Sequence, residues 1–214
     1  MGLKDKIPKM VYDAIVNFIL TECSDAQRDS WLSSRKEEDS ITGHFLGRFF
    51  KLYQRVDNWE WDLSFHKFGS RGRNATESII GADGIFQIIV RDGEGNIIFV
   101  KSFLFQSKKE KLNTDLQEQL NKIEDFLPNS GCLIFYDEEK YKVMKARDYL
   151  NDSSKWKEKA IDFCDFLINV FFRCKAGLEN LSINLKTEII TFQNEQIPIV
   201  VNRAIQLSIK RNGR

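Results

Sequence analysis

Two apolar β-type runs carry the residues with the clearest chemical potential. Asp83 heads the run DGIFQIIVR, and Gln106 and Lys108 close the run NIIFVKSFLFQSK. The segment DGEGN between them is a hairpin signal with its natural pivot between Glu94 and Gly95. Opposed residues of an antiparallel pair have numbers with a constant total, here 189, so Asp83 falls across from Gln106. Directly opposed Cβ atoms stand about 5 Å apart, near enough for two side chains to share one ion. Side chains alternate faces along a strand, which sets Lys108 on the side of Gln106. A carboxylate, a carboxamide oxygen and an ammonium are thus expected to converge at one end of the hairpin. Glu77, six residues ahead of Asp83, offers a second carboxylate.

This set suits metal-assisted hydrolysis of a phosphodiester. Carboxylate and carbonyl oxygens match Mg²⁺, with Mn²⁺ as its substitute. A bound ion lowers the pKa of an attacking water and offsets charge growing on the phosphoryl group. A neighbouring lysine orients or deprotonates that water, or neutralises the phosphate. Taken singly, each residue has a plainer reading. Asp83 after Gly81-Ala82 suits a turn at a strand start. Gln106, Lys108 and Lys109 suit the solvated exit of a strand. Arg71 and Arg73, flanked by glycines, are either phosphate-gripping side chains or a solvated loop. Lys109 joins them as a candidate nucleic-acid contact.

The elements that must hold these residues follow from periodicity. Ile7, Val11, Ala14, Ile15, Phe18 and Ile19 form one helical stripe after Pro8. Ser24 and Gln27 have capping-box spacing for a second helical piece. A longer helix is expected from about Arg35, carrying Ile41, Phe45, Phe49 and Leu52, with Glu38 on the same stripe. Trp59, Trp61, Leu63 and Phe65 then alternate with polar residues as a half-buried strand. Leu112, Leu116, Leu120, Ile123 and Leu127 predict a helix after the hairpin, followed by strands in GCLIFYD and YKVMKA. Ser153 to Cys174 reads as one amphipathic helix, and two alternating segments in the tail read as β. The order predicts a single α/β domain over 1–214 around a mixed sheet.

Composition narrows the classes. With 42% hydrophobic residues, 3 Pro and 12 Gly in 214, the chain is neither a disordered tail nor a disulfide scaffold. The 32 basic and 31 acidic residues leave +1, so nucleic-acid binding must come from a local patch. Cys23, Cys132, Cys164 and Cys174 include no CxxC pair, and His44 and His66 have no partner motif, so reduced core cysteines are expected rather than zinc. The charged start MGLKDKIPKM and the absence of a long apolar run predict a cytoplasmic chain with no membrane contact.

The pattern E-x₅-D followed 23 residues later by Q-x-K, in a helix–strand–hairpin–helix–strand order, resembles the PD-(D/E)xK nuclease superfamily. More narrowly, GAD…QSK resembles poorly characterised bacterial proteins with a GAD…QAK signature, and EEDSIT resembles the acidic helix start of that group. The likeness spans about 35–145, leaving 1–34 as an N-terminal helical extension and 146–214 as a C-terminal helix with a β extension. It implies a restriction-endonuclease-like core, a central mixed sheet flanked by helices. It further implies Asp83 and Gln106 as metal ligands, Lys108 as the catalytic lysine, and Glu77 and Glu38 as auxiliary acids. The implied activity is Mg²⁺-dependent cleavage of DNA, or of RNA, in an antiviral defence setting, and the net charge of only +1 adds the expectation of a homodimer or a protein partner that completes the binding surface. Gln106 stands where most members have Glu, which removes one negative charge from the ion's ligands. The rival expectation is an inactive restriction-like fold serving as an interaction or assembly subunit.

Overall fold

The computed structural model describes residues 2–34, 38–48, 52–68, 80–109, 115–138 and 140–213. It is an α/β structure built on a nine-stranded mixed sheet. Helix α1 (Lys9–Ser34) and helix α2 (Glu38–Gly47) precede strands β1 (Leu52–Val56) and β2 (Trp59–Lys67). Strands β3 (Gly84–Arg91) and β4 (Ile97–Lys109) form the hairpin, and α3 (Asp115–Phe126) leads to β5 (Gly131–Tyr136) and β6 (Lys142–Lys145). Next come α4 (Ala146–Asn151), α5 (Trp156–Lys159), β7 (Ile161–Asp162) and α6 (Phe163–Phe166), which runs into a π-helical turn at Leu167–Phe171. The tail supplies β8 (Leu178–Glu179), β9 (Leu181–Ile183), β10 (Ile189–Phe192), β11 (Glu195–Val200) and β12 (Arg203–Arg211).

The strand order is β1-β2-β12-β3-β4-β5-β6-β7, with β8 beside β4. Thus β12 lies between β2 and β3, antiparallel to the first and parallel to the second. The segment beyond 146 therefore supplies a central strand of the sheet. Helix α3 makes the crossover from β4 to its parallel neighbour β5. Strand β3 is buried at every position but its last, which explains its nearly unbroken apolar run. The first part of β2 alternates buried and half-buried residues.

Two apolar clusters cover the two sheet faces. One joins Ile15 and Ile19 of α1, Ile41 and Phe45 of α2, and Phe163 and Phe171 to Phe86, Phe103 and Phe105. The other joins Leu116, Leu120 and Ile123 of α3 and Trp156 of α5 to Ile85, Leu104 and Leu133. The three-stranded sheet β11-β10-β9 adds Ile183 and Ile190 to this second cluster. No helix among the described residues is long and apolar enough to cross a membrane.

Three expected elements differ from the structure. Helix α1 runs unbroken through the Ser24–Gln27 spacing. Gln27 turns inward, where its carboxamide oxygen accepts from the Tyr141 N–H at 3.1 Å and its nitrogen donates to Cys164 Sγ at 3.5 Å. Helix α2 ends at Gly47, so Leu52 opens β1 instead of extending the helical stripe; Phe49 lies outside the described residues. The single helix expected over Ser153–Cys174 is broken at Ala160–Asp162, where β7 pairs with β6. The reason is geometric. Trp156 packs on one sheet face, while Phe163, Phe166 and Phe171 pack on the other, and a straight helix cannot serve both.

Candidate functional site

The hairpin has the expected register. Gly84 faces Phe105, Ile85 faces Leu104 and Phe86 faces Phe103, each pair with the total 189, and the shift comes only near the turn at Arg91. Asp92 closes that turn, accepting from the N–H groups of Glu94 at 3.0 Å and Asn96 at 2.8 Å.

Residues 81–84 place Asp83. Gly81 has φ +71°, and a Cβ there would lie 2.0 Å from the carbonyl oxygen of Gln119 in α3. That close approach, in the left-handed region, needs glycine. Ala82 is fully buried beside α3. At Gly84 an added Cβ would meet the Arg203 carbonyl at 2.6 Å, so β12 also presses on this turn.

At Asp83 itself the ladder departs from simple opposition. Its N–H donates to the Phe105 carbonyl at 2.8 Å, although Phe105 already faces Gly84. Its carboxylate turns to β4, where Oδ2 accepts from the Ser107 N–H at 2.8 Å and from the Ser107 hydroxyl. The side chain thus occupies the place of the next ladder carbonyl. It lies against the peptide unit joining Gln106 to Ser107, where the sequence had set it straight across from Gln106.

Alternation along β4 sorts the remaining residues. Phe103 and Phe105 belong to the cluster under α1 and α2, and Ser107 follows them, its hydroxyl 3.2 Å from Thr42 Oγ1 of α2. Leu104 belongs to the α3 cluster, and the period of two sets Gln106 and Lys108 on that side. Asp83, Gln106 and Lys108 are 7%, 0% and 8% exposed, so all three are desolvated. The Gln106 Oε1 has no hydrogen-bond partner among the described residues, and its Nε2 makes only a long contact of 3.5 Å to the Ser107 carbonyl. Burying a carboxamide oxygen unpaired costs on the order of 1–3 kcal/mol. Tyr136 of β5 completes the surroundings, and burial holds its phenol well above the ordinary range.

Lys109 takes the other side of the strand, its ammonium 5.6 Å from the centre of the Trp31 ring of α1. Glu38 heads α2, the helix that brings Thr42 to Ser107, but its side chain lies outside the described set. Glu77, Arg71 and Arg73 fall outside the described residues altogether. The structure therefore brings Asp83, Gln106 and Lys108 to one strand end but not onto one face. The Asp83 carboxylate engages Ser107 on the side of Thr42, whereas Gln106 and Lys108 lie on the α3 side. Ser107 and Thr42 are additions to the expected set. Neither addition is marked in the sequence, since a serine between Gln and Lys carries no spacing signal.

Two of these groups fit Mg²⁺ by donor type. The Asp83 carboxylate and the orphaned Gln106 oxygen are hard oxygen donors. Among the described residues no cluster of three His, Cys, Asp or Glu side chains accompanies them. No family model matches the chain, and no curated protein or solved structure matches it.

Proposed function

We propose that this protein is a Mg²⁺-dependent nuclease of restriction-endonuclease-like architecture that hydrolyses DNA phosphodiester bonds. The observation that carries this reading is the buried, unpartnered Gln106 Oε1, two residues from Lys108 and beside the peptide unit that binds Asp83. An acceptor left dry and unpaired is costly unless a ligand completes it. When bound, Mg²⁺ supplies a water of lowered pKa and a counter-charge for the phosphate. Ser107 holds the Asp83 carboxylate in one orientation through two hydrogen bonds. The Lys108 ammonium orients the attacking water or neutralises the scissile phosphate. A homodimer or a protein partner completes the DNA-binding surface, in keeping with a net charge of only +1.

One observation favours a second reading, a non-catalytic assembly subunit with the same fold. Both hydrogen bonds from Ser107 converge on the Asp83 oxygen Oδ2, as a structural carboxylate would have them.

A plasmid-cleavage assay in Mg²⁺ or Mn²⁺ separates the two. The wild type cleaves, and Asp83→Ala and Lys108→Ala lose at least about a hundredfold in rate. Equal behaviour of all three proteins overturns the nuclease reading. A tight stoichiometric complex with no response to metal favours the assembly subunit.

A further inference from the structure

A sheet edge presents a row of open N–H and C=O groups, and folds guard such rows. The marginal strands here are guarded in different ways. Strands β7 and β8 have two residues each, too short a row to template a partner. Asp162 of β7 also spends its carboxylate on the N–H groups of Cys164 and Asp165. Strand β11 carries Pro198, which has no N–H to offer. Strand β9 is met by side chains. Gln87 accepts from the Ile183 N–H at 2.7 Å and donates to its carbonyl at 3.2 Å, and the Ser102 hydroxyl donates to the Leu181 carbonyl at 2.6 Å.

Strand β1 has none of these devices. Its five residues, LYQRV, include no Pro or Gly and pair with β2 in an unbroken register, and no strand lies beyond it among the described residues. Tyr53, Gln54 and Arg55 are all exposed, Tyr53 by 57%. The two-residue turn Asp57–Asn58 closes on the pair Val56–Trp59, and the pair that flanks such a turn is a hydrogen-bonded one. Hydrogen-bonded and open pairs alternate from there, so Tyr53 and Arg55 direct their backbone groups away from β2. Their side chains share the face of Glu60 and Asp62. The Tyr53 hydroxyl donates to Glu60 at 2.8 Å. Asp62, directly across from Tyr53, has no hydrogen bond or ion pair among the described residues.

We propose that the open edge of β1 docks a second copy of this chain, strand against strand and antiparallel, about a two-fold axis at Gln54. Centring on Gln54 pairs the whole of β1 and sets the outward groups of Tyr53 against those of Arg55 of the partner subunit. A shift by one residue faces open groups with committed ones. Centring on Arg55 sets two guanidinium groups opposite each other, which repels. Centring on Tyr53 runs β1 past its own start. The Gln54 register gives each Tyr53 ring an arginine neighbour, a cation–π pairing. It also brings Arg55 of the partner subunit within two strand spacings, about 10 Å, of Asp62, inside the joint reach of the two side chains. The two nine-stranded sheets become one. This deepens the partner half of the nuclease reading, and it is read by mass and cross-linking rather than by cleavage, so either can fail without the other.

The test weighs the full chain by sedimentation across a concentration series. An edge pair this short is a small interface, so a monomer at about 1 µM and a dimer at about 200 µM are expected. Arg55→Pro removes an outward N–H and leaves the ladder to β2, so it stays monomeric at the high concentration. Should that variant fail to fold, cysteine pairing decides. Gln54 residues facing each other in an open pair have Cα atoms about 4.5 Å apart, suited to a disulfide, whereas Tyr53 and Arg55 lie more than about 7 Å from their own copies. Gln54→Cys, mildly oxidised, therefore gives at least about ten times the covalent dimer of Tyr53→Cys or Arg55→Cys. A chain that stays monomeric at the high concentration overturns the proposal. So does a dimer that survives in folded Arg55→Pro, or one that cross-links no better through Gln54→Cys than through its neighbours.

Discussion

Gln106→Glu tests the buried oxygen at the strand end directly. The change keeps the side chain's shape and replaces the carboxamide by a carboxylate in a position with no exposure. A carboxylate without a cation there is held protonated, with a folded-state pKa raised to 7 or above by burial, against about 4.3 in the unfolded chain. An acid whose folded pKa is raised costs nothing below its unfolded pKa and destabilises progressively as pH rises toward the folded one. Each pH unit in that window is worth about 1.36 kcal/mol. From pH 5 to pH 7 the variant therefore loses about 2.7 kcal/mol relative to wild type. At about 2–4 °C per kcal/mol for a chain of this size, the melting midpoint falls by about 5–11 °C. Saturating Mg²⁺ should recover that loss at pH 7, since an ion that binds only the folded state stabilises it by mass action. The assay is thermal unfolding at pH 5 and pH 7, with and without Mg²⁺. A variant whose midpoint tracks wild type at both pH values and ignores Mg²⁺ refutes the argument, because the site would then be neither dry nor ready for a cation.

Two further outcomes follow from the packing. The Trp156 ring stacks on Phe135 at 4.0 Å between centres and is 8% exposed, so Trp156→Ala should cost about 3–5 kcal/mol in urea unfolding. A loss below about 1 kcal/mol would place α5 elsewhere than on that sheet face. Burial, with the Glu60 charge second, raises the Asp62 carboxyl to about 6. The stability that Asp62 contributes by staying protonated is present at and below pH 4 and is lost as pH climbs to 6. Asp62→Asn should flatten the pH profile across that window, and an unchanged slope from pH 4 to pH 6 would count against it.

Local periodicity made much of this fold legible. The alternation in β2, the hairpin register and the buried face of α3 each depend on neighbours along the chain or across a short turn. What stayed hidden depends on distant partners. Nothing in RAIQLSIKR says that it enters between β2 and β3, because strand neighbours are chosen by the whole sheet. The amphipathic stretch after Ser153 has apolar residues enough for one helix, yet they are shared between two faces, so the chain breaks at β7. Gln27 has a helix-start spacing and is instead spent on Tyr141 and Cys164. At the candidate site, residue types and register were legible, but the turning of Asp83 toward Ser107 was not. That depends on which β4 amide is left open when the ladder stops.

The placement of β12 bears on how the molecule assembles. Its pairing with β3 joins residues 119 apart, such as Ala204 and Ile85, and seals the hairpin to the β1-β2 ribbon. Contacts of such long sequence separation form late. A nascent polypeptide would thus hold the hairpin, α3 and β5 as one nucleus and the β1-β2 ribbon as another. The seam between them stays open, with two sheet edges unsatisfied, until the last thirty or so percent of the chain has emerged and folded back.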